Sequence, residues 1–63
     1  MRYKIKELRE KRKMTQGELV KASGVSRGII VRLESGEDVE TTVGTLKAIA
    51  DALNVTPGYL LLP

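Results

Sequence analysis

Thr15-Gln16-Gly17-Glu18-Leu19-Val20-Lys21-Ala22-Ser23-Gly24-Val25-Ser26-Arg27-Gly28-Ile29-Ile30-Val31-Arg32-Leu33-Glu34 reads as one short helix, a sharp turn at Gly24 and a second short helix. Thr15 and Glu18 have the spacing of a capping box, in which each side chain takes an N–H at the other's end of the first turn. Leu19 and Ala22 follow at helical spacing as an inward stripe. Gly24 stands where the chain needs a left-handed residue to leave the helix. Val25 packs under the turn, and Ser26 has the side chain to cap the next helix. There Ile30 and Leu33 face inward, which leaves Arg27, Gly28 and Arg32 toward solvent. Two helices joined by a short glycine-containing turn make a helix-turn-helix, a unit that presents its second helix to the DNA major groove.

Working outward, residues 3–13 are predicted as the first helix, with Ile5 and Leu8 on one side. Lys11, Arg12 and Lys13 crowd its last turn, where cations suit the helix dipole and can also meet a phosphate strand. Met14 plugs the gap before the second helix. Beyond the central pair, Ser35-Gly36 ends the third helix and Glu37 to Thr41 form a loop. Thr42 is a cap for a fourth helix, in which Leu46, Ile49, Ala50 and Leu53 follow the i, i+3, i+4, i+7 rule. Asn54 is suited to the left-handed position that ends it, and Thr56-Pro57 reads as cap and first-turn proline of a fifth. The expectation is an all-α fold of five short helices in a single domain spanning 1–63.

The ordered set Leu8-Arg9-Glu10, Met14-Thr15-Gln16-Gly17-Glu18-Leu19, Gly24-Val25-Ser26, Arg32-Leu33-Glu34-Ser35-Gly36, Thr45-Leu46, Ile49-Ala50, Ala52-Leu53 and Tyr59-Leu60-Leu61 resembles the lambda-repressor-like, Cro/C1-type helix-turn-helix family. That family includes phage repressors, Cro proteins and many small bacterial regulators, and the likeness runs from about Tyr3 to Leu61. It implies a helix-turn-helix formed by helices 2 and 3 and an ion pair between Arg9 and Glu34. It further implies a DNA partner bound as a dimer.

The bulk numbers agree with a small binding module. At 63 residues a chain buries only about 60% of its unfolded surface, so its stability is marginal and dimerisation would help. There is no Cys and no His, which removes disulfides, thiol chemistry and the usual zinc ligands. General acid–base catalysis needs convergent titratable groups in a concave site; the acids here lie mostly on surface or loop, and an enzyme is not expected. No cofactor, metal or small-molecule ligand is expected either. No apolar run approaches the ~20 residues of a membrane span, and the N-terminus lacks the apolar stretch of a signal peptide. A cytoplasmic, nucleoid-associated protein is the expectation.

Charge is polarised along the chain. Residues 1–32 hold ten of the eleven Lys and Arg against three acids, a net +7, whereas residues 33–63 hold Lys47 against five acids, a net −4. Such asymmetry suits either one face for a polyanion or ordinary solvated helix surface; beside a helix-turn-helix it points to DNA.

These features assign candidate roles in a recognition helix running from Ser26 to Ser35. Arg27 is the leading base reader, because a guanidinium can take guanine O6 and N7 together. Arg32 reaches either a base or a phosphate. Ile29 either meets a thymine methyl or packs at the margin of the core or a dimer contact. Gly28 stands where the resembling family carries a side chain that reads or positions bases. As glycine it loses that contact and costs about 1 kcal/mol of helix propensity relative to Ala. Either the backbone approaches the DNA closely there, or specificity is coarse. Lys13, Thr15, Gln16, Ser26 and Ser35 are candidate phosphate contacts, with the free N–H groups at the start of helix 2 adding to the site at Gln16. Tyr59, Leu61 and Leu62 exceed what so small a core can use and suggest either a homodimer contact or a loosely packed end.

The leading expectation is a sequence-specific DNA-binding transcriptional regulator, a repressor, placing two recognition helices about 34 Å apart on a palindromic operator. The alternative is a protein-interaction module on the same fold, an antitoxin-like or anti-repressor partner. It rests on the acidic loop 37–40, where relatives of the resembling family often carry Lys, Arg or Asn and this chain carries Glu37, Asp38 and Glu40.

Overall fold

Among the described residues, four α-helices and one 3₁₀ turn follow in order: α1 Ile5–Lys11, α2 Gln16–Ser23, α3 Arg27–Glu34, α4 Val43–Ala52 and the 3₁₀ turn Pro57–Leu60. They are seen in a computed structural model that describes residues 2–37 and 40–61. Asp38 and Leu62, named above for the acidic loop and the C-terminal contact, lie outside the described residues.

Local chemistry accounts for where the helices begin. The Thr15 hydroxyl accepts the Glu18 N–H at 3.0 Å, and the Glu18 carboxylate accepts the Thr15 N–H at 2.8 Å, a complete capping box. The Ser26 hydroxyl accepts the Ile29 N–H at 3.4 Å and the Thr42 hydroxyl accepts the Thr45 N–H at 3.1 Å. Endings are equally local. α2 stops at Gly24, whose φ of 74° lies in the left-handed region. α1 and α4 share one C-terminal motif, a left-handed residue flanked by a 5→2 and a 6→1 hydrogen bond. At α1 the left-handed residue is Lys13 (φ 57°), with Lys13 N–H to Glu10 O at 2.9 Å and Met14 N–H to Arg9 O at 3.0 Å. At α4 it is Asn54 (φ 58°), with Asn54 N–H to Asp51 O at 3.1 Å and Val55 N–H to Ala50 O at 2.9 Å.

Each element sends at least one fully buried side chain to a common core: Ile5, Leu19, Ile30, Ile49 and Leu60, joined by Leu53 at the end of α4. Burying an aliphatic side chain of this size is worth about 1.5–3 kcal/mol, so these residues drive the folding of a chain this small. α4 packs on α2 and on the 3₁₀ turn, while α3 packs on α1 and α2. That leaves the outer side of α3 uncovered.

Several expectations need correction. The fifth element is a single 3₁₀ turn, closed by i→i+3 bonds from Tyr59 N–H to Thr56 O and Leu61 N–H to Gly58 O, and Thr56 makes no side-chain capping bond. Four residues cannot sustain an α-helical ladder, whose bonds reach four residues back. The first helix is Ile5–Lys11, shorter than 3–13. Its start is set by Tyr3, which pairs with Leu61 in an isolated antiparallel bridge, and by the Lys4 N–H, which donates to Leu60 O at 2.8 Å. Ala22 is exposed; the inward line of α2 runs Gln16, Leu19, Val20, Ser23, and Ala22 falls beside it. No helix among the described residues is long and apolar enough to cross a membrane.

Candidate nucleic-acid interface

α3 is held by its inner side. Ile30 and Leu33 are 0% and 2% exposed, whereas Arg27, Gly28, Ile29, Val31 and Arg32 are all exposed. The eight residues of α3, about two turns, therefore carry an apolar anchor on one side and two guanidinium groups on the other. A Cβ built on Gly28 would meet no atom within 4 Å, so packing within the protein gives no reason for glycine there. Ile29 is 41% exposed. With Arg32 and Leu33 it borders a cleft of about 460 Å³ that Glu40, Thr41, Thr42 and Thr45 close from the other side.

The end of α3 is tied back to the start of the chain. Arg9 Nε donates to Glu34 Oε2 at 2.8 Å and Nη2 donates to Oε1 at 3.1 Å, a two-pronged ion pair. The remaining guanidinium nitrogen, Nη1, donates to Met14 O at 2.7 Å. The Arg9 and Glu34 side chains are 9% and 3% exposed, so water competes little with the pair. The hydrogen bond to Glu34 raises the Arg9 pKa against the burial that lowers it. Burial alone would lift the Glu34 carboxyl, but hydrogen bonds from Arg9 and Gln16, with the charges of Arg9 and Lys6, together outweigh it and hold the group below its ordinary value.

Gln16 is the third member of this cluster. Its Nε2 donates to Glu34 Oε1 at 3.0 Å, a partner that sequence reasoning did not supply. One N–H of the amide and its carbonyl still point elsewhere, so Gln16 both buttresses the pair and keeps polar capacity at the start of α2. Thr15 caps that same helix end. Lys13 is exposed just before it, and Ser26 caps α3 nearby in sequence. Ser35 stands differently, since its hydroxyl donates to Arg32 O at 2.7 Å and accepts the Glu37 N–H at 3.3 Å. It serves as a C-terminal cap, at the negative end of the α3 dipole.

Glu40 of the acidic loop lines the cleft beside α3, whereas the C-terminal residues lie against the N-terminal segment. Burial first, then the negative charge of Glu40, push the Tyr3 phenol above its ordinary pKa, against a hydrogen bond with the Thr41 backbone; Glu40 thus lies by the N-terminal segment as well as the cleft. Leu61 is half-buried against the core, whereas Tyr59 is 51% exposed with Lys4 Nζ 4.0 Å from its ring centroid. That cation–π contact joins the two ends of the chain. Sequence periodicity had no signal for it, because its partners lie outside any shared element.

Among known proteins, a family model described as helix-turn-helix matches residues 5–60, nearly the whole chain. No curated protein and no solved structure matches.

Proposed function

The chain belongs to the Cro/C1-type helix-turn-helix family of DNA-binding transcription regulators, and from that premise we propose that it is a sequence-specific repressor acting as a two-fold dimer on a palindromic operator. The observation that carries this reading is the division of α3, with Ile30 and Leu33 buried and Arg27, Gly28, Ile29 and Arg32 outward. A short helix anchored along one side and bare along the other fits the width of a B-DNA major groove.

Arg27 then takes a base edge, Arg32 a base or phosphate, and Ile29 a thymine methyl, with the backbone at Gly28 running close to the duplex. Lys13, Thr15, Gln16 and Ser26 hold the phosphate strand beside the start of α2. Ser35 joins them only by releasing the Arg32 carbonyl. Two copies, paired through the C-terminal surface of Tyr59, Leu61 and Leu62, would set successive recognition helices about 34 Å apart. Such a domain represses by occupancy and calls for no cofactor.

Selection of bound sites from a random DNA pool, followed by a salt titration on the winner, tests the reading. The expected product is an inverted repeat whose affinity falls by at least ~10³-fold between about 50 and 200 mM salt if six or more phosphates are contacted. Failure to retain any duplex at low salt would overturn it.

A further inference from the structure

Gly17 is the second residue of α2 and sits in an ordinary helical conformation, since among the described glycines only Gly24 and Gly36 have positive φ. Glycine is a poor helix former beside alanine, and backbone freedom is not used here. What the position does use is space. A Cβ on Gly17 would lie 3.1 Å from Arg27 Nη2 and 3.8 Å from Thr15 Oγ1, and 3.1 Å is well inside the ~3.5–4.0 Å of an optimal nonbonded contact. The Arg27 guanidinium therefore leans on the first turn of α2 at a spot that only a residue without a side chain leaves open.

Fold stability does not explain that lean. The Arg27 side chain has no hydrogen-bond or ion-pair partner among the described residues, and a helix N-terminus carries partial positive charge, which repels a cation. Glu18, the nearest acid in sequence to Gly17, has its carboxylate turned to the Thr15 N–H at 2.8 Å. The contact places an unspent fork. Against α2, the guanidinium loses part of its sweep before it meets a ligand, and a donor held in advance discriminates better than one that must be ordered on binding.

We infer that Gly17 is a specificity-determining position: its missing side chain seats Arg27 against α2 and so sets where the guanidinium points in the groove. The inference rests on the DNA-binding reading above and deepens it. A methyl group at position 17 would push the fork outward by a few tenths of an ångström, enough to spoil a two-pronged contact with a base.

Gly17→Ala is the test, and it should fold, because alanine favours the helix and the obstructing atom is the far end of a flexible side chain. Its thermal midpoint should rise. In the DNA-free protein the Arg27 Nε–Hε resonance should shift. Preference at the base pair read by Arg27 should fall at least ~5-fold, the lower end of the ~5- to 150-fold that one bidentate base contact is worth. In an Arg27→Ala background, Gly17→Ala should change that preference no further. An unmoved resonance overturns the seat. Equal preference in Gly17→Ala and wild type, or an undiminished effect without Arg27, overturns the specificity role while DNA binding stands. Wild-type protein that retains no duplex overturns the DNA reading and this inference with it, whatever the resonance does.

Discussion

Arg9 and Glu34 stand 25 residues apart in the chain and meet through two hydrogen bonds, 2.8 Å from Nε to Oε2 and 3.1 Å from Nη2 to Oε1. The pair joins α1 to the last residue of α3, so that helix is braced at the end away from its Ser26 cap. With Gln16 and the Met14 carbonyl drawn in, the cluster ties α1, the start of α2 and the end of α3 together.

Removing one partner leaves an uncompensated charge in a nearly dry site. Arg9→Ala and Glu34→Ala should each cost about 3 kcal/mol, a large share of the stability expected of a domain this size, while the double variant loses less than the sum. Urea denaturation of the four proteins measures the coupling. Small, additive losses would show that the pair contributes nothing beyond its two side chains.

Acid should weaken the fold through the same site. The native Glu34 carboxyl takes its proton below the ordinary value of 4.5, so in that window the unfolded chain binds more protons than the native one. Stability is complete above the ordinary value and is lost as pH falls through the folded value. Glu34→Gln, less stable at neutral pH, should show a shallower acid limb. Parallel limbs in wild type and variant would exclude Glu34 as a source of acid sensitivity.

Lys13 ends α1 at φ 57°, where a β-carbon is disfavoured and glycine is not. Lys13→Gly should therefore gain about 0.5–1 kcal/mol, after the extra entropy of glycine in the unfolded chain is subtracted. If Lys13 also holds a phosphate, the same variant binds every duplex more weakly, with a salt slope smaller by about 1. A rise in stability with an unchanged slope would confine Lys13 to ending the helix.

Gly28 lies inside α3 with open space around it. Gly28→Ala should recover about 1 kcal/mol of helix propensity, raising the melting temperature by roughly 4–8 °C. Differential scanning calorimetry reads this directly, and a melting temperature that falls would mean that the open space closes in solution. Affinity for a selected site then reports on the duplex: a loss of tenfold or more marks a close backbone approach, and no loss marks coarse reading at that step.

Much of this arrangement was legible before any coordinates. Thr15 with Glu18, Ser26, Thr42, Gly24 and Asn54 mark helix ends by chemistry that reaches no further than five residues. The 3.6-residue period picked out Leu19, Ile30, Leu33, Ile49 and Leu53 as core. The resemblance to the repressor family, not any local pattern, suggested Arg9 with Glu34. Ala22 was misplaced because in an eight-residue helix two neighbouring stripes fit the same period, and only the crossing of α3 and α4 selects between them.

The residues alone dictate local matters: which segments coil, where each begins and stops, and which side of each is apolar, because these follow from propensities and bonds between near neighbours. Who meets whom across the chain is settled only by the folded core. Gln16 turns to Glu34, Tyr3 bridges Leu61, Lys4 covers Tyr59, and Arg27 leans on Gly17. Each of these depends on how segments distant in sequence pack, and that packing emerges from the whole core at once, so no window of sequence contains it.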